Sequence, residues 1–121
     1  VMPKSLVQRE LVHAALSELR IVETMSERKE LMAHLSDAFV VLPGGIGTMD
    51  ELFEVWTWHY LGAHQKRCVL INVNGFYDTL LAQVAQMSNQ GFLAADAADA
   101  LLVSADIGSA IDMLATAQEP Q

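Results

Sequence analysis

The chain has one cysteine, three prolines and seven basic residues against fifteen acidic ones in 121 residues. A lone cysteine, Cys68, rules out an internal disulfide and any zinc site built on several thiolates. Its neighbours Val69, Leu70 and Ile71 suggest a buried strand and a structural thiol rather than a nucleophile. The formal charge of -8 opposes binding to nucleic acid, whose affinity rests on Lys and Arg against phosphates. It still permits a small anionic ligand held by local donors. No apolar run approaches the ~20 residues of a membrane span, and the start lacks the basic, apolar and small-residue pattern of a signal peptide. These features together predict a cytoplasmic protein with no membrane partner. An initiator methionine is also missing at position 1. Val1-Met2-Pro3-Lys4 reads as the tail of a strand entered from a segment upstream.

What is present is alternation. Three nearly continuous apolar runs, Ala38–Leu42, Cys68–Val73 and Ala100–Ser104, have the character of strands covered on both faces. Leu19–Glu23 is a weaker fourth. Helical spacing marks Glu27–Leu35 with Ser26 as its N-cap, Thr48–Tyr60 stopped by Gly62, Tyr77–Asn89 closed by Gly91, and Ile107–Ala117. Ala94–Ala100 has the composition of a short helix. Strands and helices in alternation predict an α/β fold with a parallel sheet flanked by helices, in one domain over 1–121.

The segment with the most chemistry is Leu42-Pro43-Gly44-Gly45-Ile46-Gly47-Thr48-Met49-Asp50-Glu51. It follows a strand and opens a helix, where ligands of parallel α/β sheets bind. Pro43 lacks an N–H and ends the strand ladder. Gly44, Gly45 and Gly47 permit positive φ and close backbone approach. The helix start supplies unpaired N–H groups, a partial positive charge and the Thr48 hydroxyl, which together suit a phosphate. The pattern is not a P-loop, which needs a Gly-Lys-Ser/Thr ending. It is not the dinucleotide fingerprint either, which needs a third glycine where Asp50 stands. A tight turn that binds nothing is the plain alternative. Glu51, predicted in the first helical turn, has a bland explanation in the helix dipole. Its functional explanation is a carboxylate beside a bound sugar phosphate, placed to stabilise an oxocarbenium-like state or to activate water.

Arg28 and Lys29 are predicted in the first turn of their helix, where cations are mildly unfavourable. That mismatch hints at function, and a solvated pair is the alternative. Glu10, beside Arg9, is weaker still. His13, His34, His59 and His64 show no metal-ligand spacing, and surface or half-buried roles are the simpler reading for all four.

Pro43-Gly44-Gly45-Ile46-Gly47-Thr48-Met49-Asp50-Glu51 resembles the Pro-Gly-Gly-x-Gly-Thr-x-x-Glu signature of the LONELY GUY family. These are cytokinin riboside 5'-monophosphate phosphoribohydrolases that also carry a lysine decarboxylase label. The resemblance includes Arg9-Glu10-Leu11, Met25-Ser26-Glu27-Arg28-Lys29, Asp37-Ala38-Phe39, Glu54–Trp58 and Asn72–Tyr77, and it extends over roughly residues 1 to 93. It implies a Rossmann-like fold that here lacks the first strand-helix units, so that exposed apolar surface favours association. It implies Arg28 and Glu51 as catalytic residues. Glu10, Arg28, Lys29, Gly44, Gly45, Ile46, Gly47, Thr48, Glu51 and Thr57 would be the substrate-binding residues. The substrate would be AMP or an N6-substituted adenosine monophosphate, with no cofactor or metal, in a homodimer or larger homo-oligomer. A non-catalytic nucleotide-binding or assembly module that keeps the signature is the alternative, and a carrier of a phosphorylated cofactor is a third reading. Pyridoxal-dependent decarboxylation would need a Schiff-base lysine, and the chain offers Lys4, Lys29 and Lys66.

Overall fold

The computed structural model describes residues 1–8 and 13–117. It divides into two compact units, Val1–Asp37 and Ala38–Gln121. The strands pair in parallel in both, so the fold is the α/β, Rossmann-like class expected. Among the described residues no helix is long and apolar enough to cross a membrane.

In the first unit, β1 (Met2–Pro3) is followed directly by α1 (Lys4–Gln8) and pairs with β2 (Ile21–Val22). The weak strand expected at Leu19–Glu23 is therefore present, but short. α2 (Met25–Leu35) begins two residues before the expected start, and its N-cap is Thr24 rather than Ser26. The Thr24 hydroxyl accepts from the Glu27 N–H at 3.1 Å, and the Glu27 carboxylate reaches back to the Glu23 N–H at 2.9 Å. Reciprocal capping of this kind satisfies two backbone donors, which a cap at Ser26 with Lys29 three residues later would not do.

The second unit holds a three-stranded sheet in the order β3 (Phe39–Val41), β4 (Cys68–Ile71), β5 (Leu101–Ser104). β4 is central and buried along its length. Its side chains alternate between two cores, as the period of a strand requires. Cys68 and Leu70 join Val41, Leu52, Trp56, Tyr77, Val84 and Leu101 on one face. Val69 and Ile71 join Ala110 and Leu114 on the other. The first core is covered by α3 (Ile46–Tyr60) and α4 (Asp78–Asn89), the second by α6 (Ile107–Ala117). The short α5 (Ala95–Asp99) lies between α4 and β5, where its Ala97 carbonyl accepts the Trp56 indole N–H at 2.9 Å. Burial pushes the Cys68 thiol up to about 12, so it remains protonated and acts as a small apolar core group.

Two helix ends follow their glycines: Gly62 (φ 80) and Gly91 (φ 83) turn the chain after α3 and α4 in the left-handed conformation. The strand expected to run to Val73 stops at Ile71. Asn72 ends it by turning its side chain onto the backbone ahead, its Oδ1 accepting the Tyr77 N–H at 2.7 Å. Asn74 (φ 51) and Gly75 (φ 72) then reverse the chain.

Between α3 and β4, two histidines grip one stretch of backbone. The Lys66 N–H donates to His64 Nδ1 at 3.1 Å, which leaves the proton on Nε2, facing the Val55 carbonyl at 2.9 Å. His59 Nδ1 lies 3.0 Å from the Lys66 carbonyl. Burial, the largest cause, holds His64 below its ordinary 6.5; the Val55 carbonyl opposes the shift, and the charges of His59 and Lys66 add to it. A depressed histidine contributes stability above its unfolded value and loses it as pH falls through the folded one, because the unfolded chain binds the proton first. Thermal stability is therefore expected to fall as pH is lowered below 6.5, and the His64→Gln variant should show a flatter profile. Melting temperatures across that range check both.

Candidate active site

β3 delivers the chain to the carboxyl end of the sheet, and residues 42–45 turn it into α3. Gly45 is the N-cap, with φ -102 and ψ -147, and no side chain caps the helix. The first helical bond is Met49 N–H to the Gly45 carbonyl at 3.1 Å. The N–H groups of Ile46, Gly47 and Thr48 therefore have no intrahelical partner. They lie at the carboxyl edge of a parallel sheet with the positive end of the helix dipole behind them, an arrangement suited to an anion.

The glycines act differently from the expectation. Among the described residues, positive φ occurs at Gly62, Gly75, Gly91 and Asn74 and not in this turn. What the turn uses is the missing Cβ. At Gly44 a Cβ would stand 2.2 Å from Thr48 Oγ1 and 2.9 Å from Thr48 Cβ, so the threonine folds back over that glycine. At Gly45 and Gly47 a Cβ would meet, among the described residues, nothing within 4 Å beyond its own chain neighbours and helix backbone. Among the described residues nothing crowds either position; Gly45 is the N-cap, where glycine is favoured, whereas at Gly47, inside the helix, glycine costs roughly 0.5–1 kcal/mol relative to alanine. Open space above unpartnered N–H groups is what an anion approaching the backbone needs. Ile46, between them, is 91% exposed.

Because α3 starts at Ile46 and not Thr48, its first turn holds no acidic residue. Asp50 and Glu51 stand in the second turn. The dipole account of Glu51 weakens accordingly, since that effect falls off within the first turn. Glu51 is half-buried, whereas Asp50 is exposed. It follows Gly47 by four residues and Thr48 by three, and so shares their face of the helix. The rise from Gly47 to Glu51 is about 6 Å, comparable with the span from a 5'-phosphate across a ribose to its anomeric carbon. Thr57 is exposed on the same helix, about 15 Å along the axis from Gly47, and is not brought to the turn.

Arg28 and Lys29 belong to the first unit. The earlier start of α2 moves them to its fourth and fifth positions, so the expected clash with the dipole is largely relieved. Both are half-buried. Arg28 Nε donates to the Val1 carbonyl at 2.9 Å, which fixes the guanidinium against the start of its own unit. Glu10 lies outside the described residues.

One contact at the turn had no signal in the sequence. The Tyr77 hydroxyl donates to the Leu42 carbonyl, from a residue whose sequence context marks only helix spacing and resemblance. A bond spanning 35 positions leaves no local pattern. Among the described residues no three His, Cys, Asp or Glu side chains cluster as metal ligands would.

The family model described as "Possible lysine decarboxylase" matches residues 1–114. The chain is 46% identical over 102 residues to a cytokinin riboside 5'-monophosphate phosphoribohydrolase of Rhodococcoides fascians, covering 84% of this chain and 52% of that protein. It is 50% identical over 97 residues to the enzyme of that name from Oryza sativa subsp. japonica, covering 80% and 40%. With the Mycobacterium tuberculosis protein of the same name it shares 43% over 111 residues, covering 92% and 59%. The chain thus spans about half the length of the curated relatives it matches. The signature on the β3–α3 turn and these matches along the chain agree: the protein belongs to the LONELY GUY family, within the wider group described as possible lysine decarboxylases.

Proposed function

We propose that the chain carries the phosphate turn and catalytic helix of a nucleoside 5'-monophosphate phosphoribohydrolase, acting on AMP or an N6-substituted adenosine monophosphate. The supporting observation is Glu51, half-buried one helical turn beyond the open Gly47 and on its face of α3. The N–H groups of residues 46–48 hold the 5'-phosphate. The bond between C1' and the base nitrogen breaks, and its electron pair leaves with the base, which takes up a proton. The Glu51 carboxylate stabilises the ribosyl cation and accepts a proton from the water that adds to C1'. Free base and ribose 5-phosphate result. By resemblance, Arg28 orients the sugar or assists departure of the base, while Glu10, Lys29 and Thr57 contribute to substrate binding. We assign the working form as a homodimer or larger homo-oligomer on the same ground.

The decarboxylase description fits this turn poorly. The one lysine of the sheet unit, Lys66, precedes β4 and so sits at the opposite end of the parallel strands from the turn. No Schiff-base lysine of that unit stands where a phosphate on residues 46–48 would require it. Purified protein is expected to carry no pyridoxal phosphate, which its absorbance spectrum, taken without added cofactor, checks.

Incubation with AMP, with an N6-substituted analogue and with adenosine tests the main reading. Base is expected from the two monophosphates and not from adenosine. Binding of the monophosphates without base release would favour the non-catalytic module. Equal release from adenosine would remove the turn from the account.

A further inference from the structure

We propose that Tyr77 is a positioning residue for the phosphate turn: its hydroxyl, reaching from the loop after β4, holds the Leu42–Gly45 backbone in the shape that receives the 5'-phosphate. The ligand class rests on the function proposed above; the brace itself rests on the contacts.

The turn contains little that would fix its own shape. It has glycine at positions 44, 45 and 47, no side-chain cap and, at Pro43, no N–H to donate. Leu42 lies just beyond the last β3 residue and is 57% exposed. Its carbonyl takes the Tyr77 hydroxyl in place of a further strand partner. The Gly44 backbone acts on the same hydroxyl: burial pushes the Tyr77 pKa up, and Gly44 partly offsets it.

The other end of the brace is buried and well connected. Tyr77 is 2% exposed, and its ring belongs to the core formed with Val41, Leu52 and Leu70. Phe76 stands edge-on to it, centroids 4.8 Å apart. The Tyr77 N–H donates to Asn72 Oδ1 at 2.7 Å, and Asn72 Nδ2 donates to Asp78 Oδ1 at 2.8 Å. Gly75 adopts φ 72, and a Cβ there would lie 2.5 Å from Asp78 Oδ2. The 72–78 loop is thus held by several independent constraints and passes its rigidity to the neighbouring turn through one hydroxyl. Preorganised donors bind a transferring or departing group better than donors that must be ordered on binding.

The test compares Tyr77→Phe with Leu114→Ala, which empties a position in the other core. Binding of ribose 5-phosphate and of inorganic phosphate is measured by calorimetry, AMP hydrolysis by steady-state kinetics, and stability by melting. Tyr77→Phe is expected to weaken both ligands and raise KM for AMP about five- to tenfold, the scale of one lost hydrogen bond, with kcat within about threefold. Leu114→Ala should lower Tm with affinities unchanged. Unchanged ribose 5-phosphate affinity in Tyr77→Phe, or an equal loss in Leu114→Ala, overturns the assignment even if hydrolysis is confirmed. Tyr77-dependent phosphate binding without base release supports the brace and removes the hydrolase reading. No binding of either ligand by the wild-type chain overturns both.

Discussion

Glu51→Gln is expected to lower turnover of AMP by at least about a hundredfold, the lower range of what a positioned general base contributes, while AMP affinity stays within about threefold. The substitution keeps the shape and hydrogen-bonding reach of the side chain and removes its charge. The 5'-phosphate is held by backbone groups of residues 46–48, which the change does not touch. The ribosyl cation and the attacking water both need the anion. Loss of charge near a bound phosphate also removes a repulsion, so binding can tighten slightly. The helix-dipole part of any stability change should be small, because Glu51 lies beyond the first turn of α3. Single-turnover rates, calorimetry and melting separate the three quantities. Normal hydrolysis in this variant would remove Glu51 from the mechanism.

The glycines of the turn should respond in opposite ways. Gly47→Ala is expected to stabilise the protein by up to about 0.5–1 kcal/mol, since among the described residues the new Cβ is crowded by nothing outside its own helix and the position is helical. The same methyl enters the space an anion would use, so ribose 5-phosphate affinity should fall at least about tenfold, or 1.4 kcal/mol. Gly44→Ala should instead destabilise by about 1–3 kcal/mol. Rotating Thr48 can move its Oγ1 away from the new Cβ, but Thr48 Cβ remains 2.9 Å away, so the backbone must shift. A protein that becomes more stable while losing its ligand is hard to explain unless Gly47 serves the ligand. Denaturant titrations paired with calorimetry read both quantities. Undiminished affinity in Gly47→Ala would mean that the open space is incidental.

Much of this architecture was legible because burial leaves a strong mark. Central strand β4 reads as a continuous apolar run because both its faces are covered. The helices on either side of it follow apolar spacing, and Gly62 and Gly91 end α3 and α4 as expected. α2 and α3 each begin two residues before the start that apolar spacing predicts. Apolar periodicity begins only where a helix meets a core, whereas the caps at Thr24 and Gly45 lie outside that pattern. The offset mattered at the site, since it placed Glu51 and Arg28 in first turns they do not occupy. The glycine signature was visible, but its reason was not. Sequence shows that Cβ atoms are missing; only coordinates distinguish a left-handed turn from a crowded Gly44 and an open Gly47. The Tyr77–Leu42 bond was beyond reach, because it joins loops after two adjacent strands and depends on their register.

The most direct test of the central claim is product analysis of AMP incubated with this chain and, beside it, with the Glu51→Gln variant. Adenine and ribose 5-phosphate should appear in equal amounts with the first and be nearly absent with the second. Products from neither, or from both at equal rates, would contradict the account.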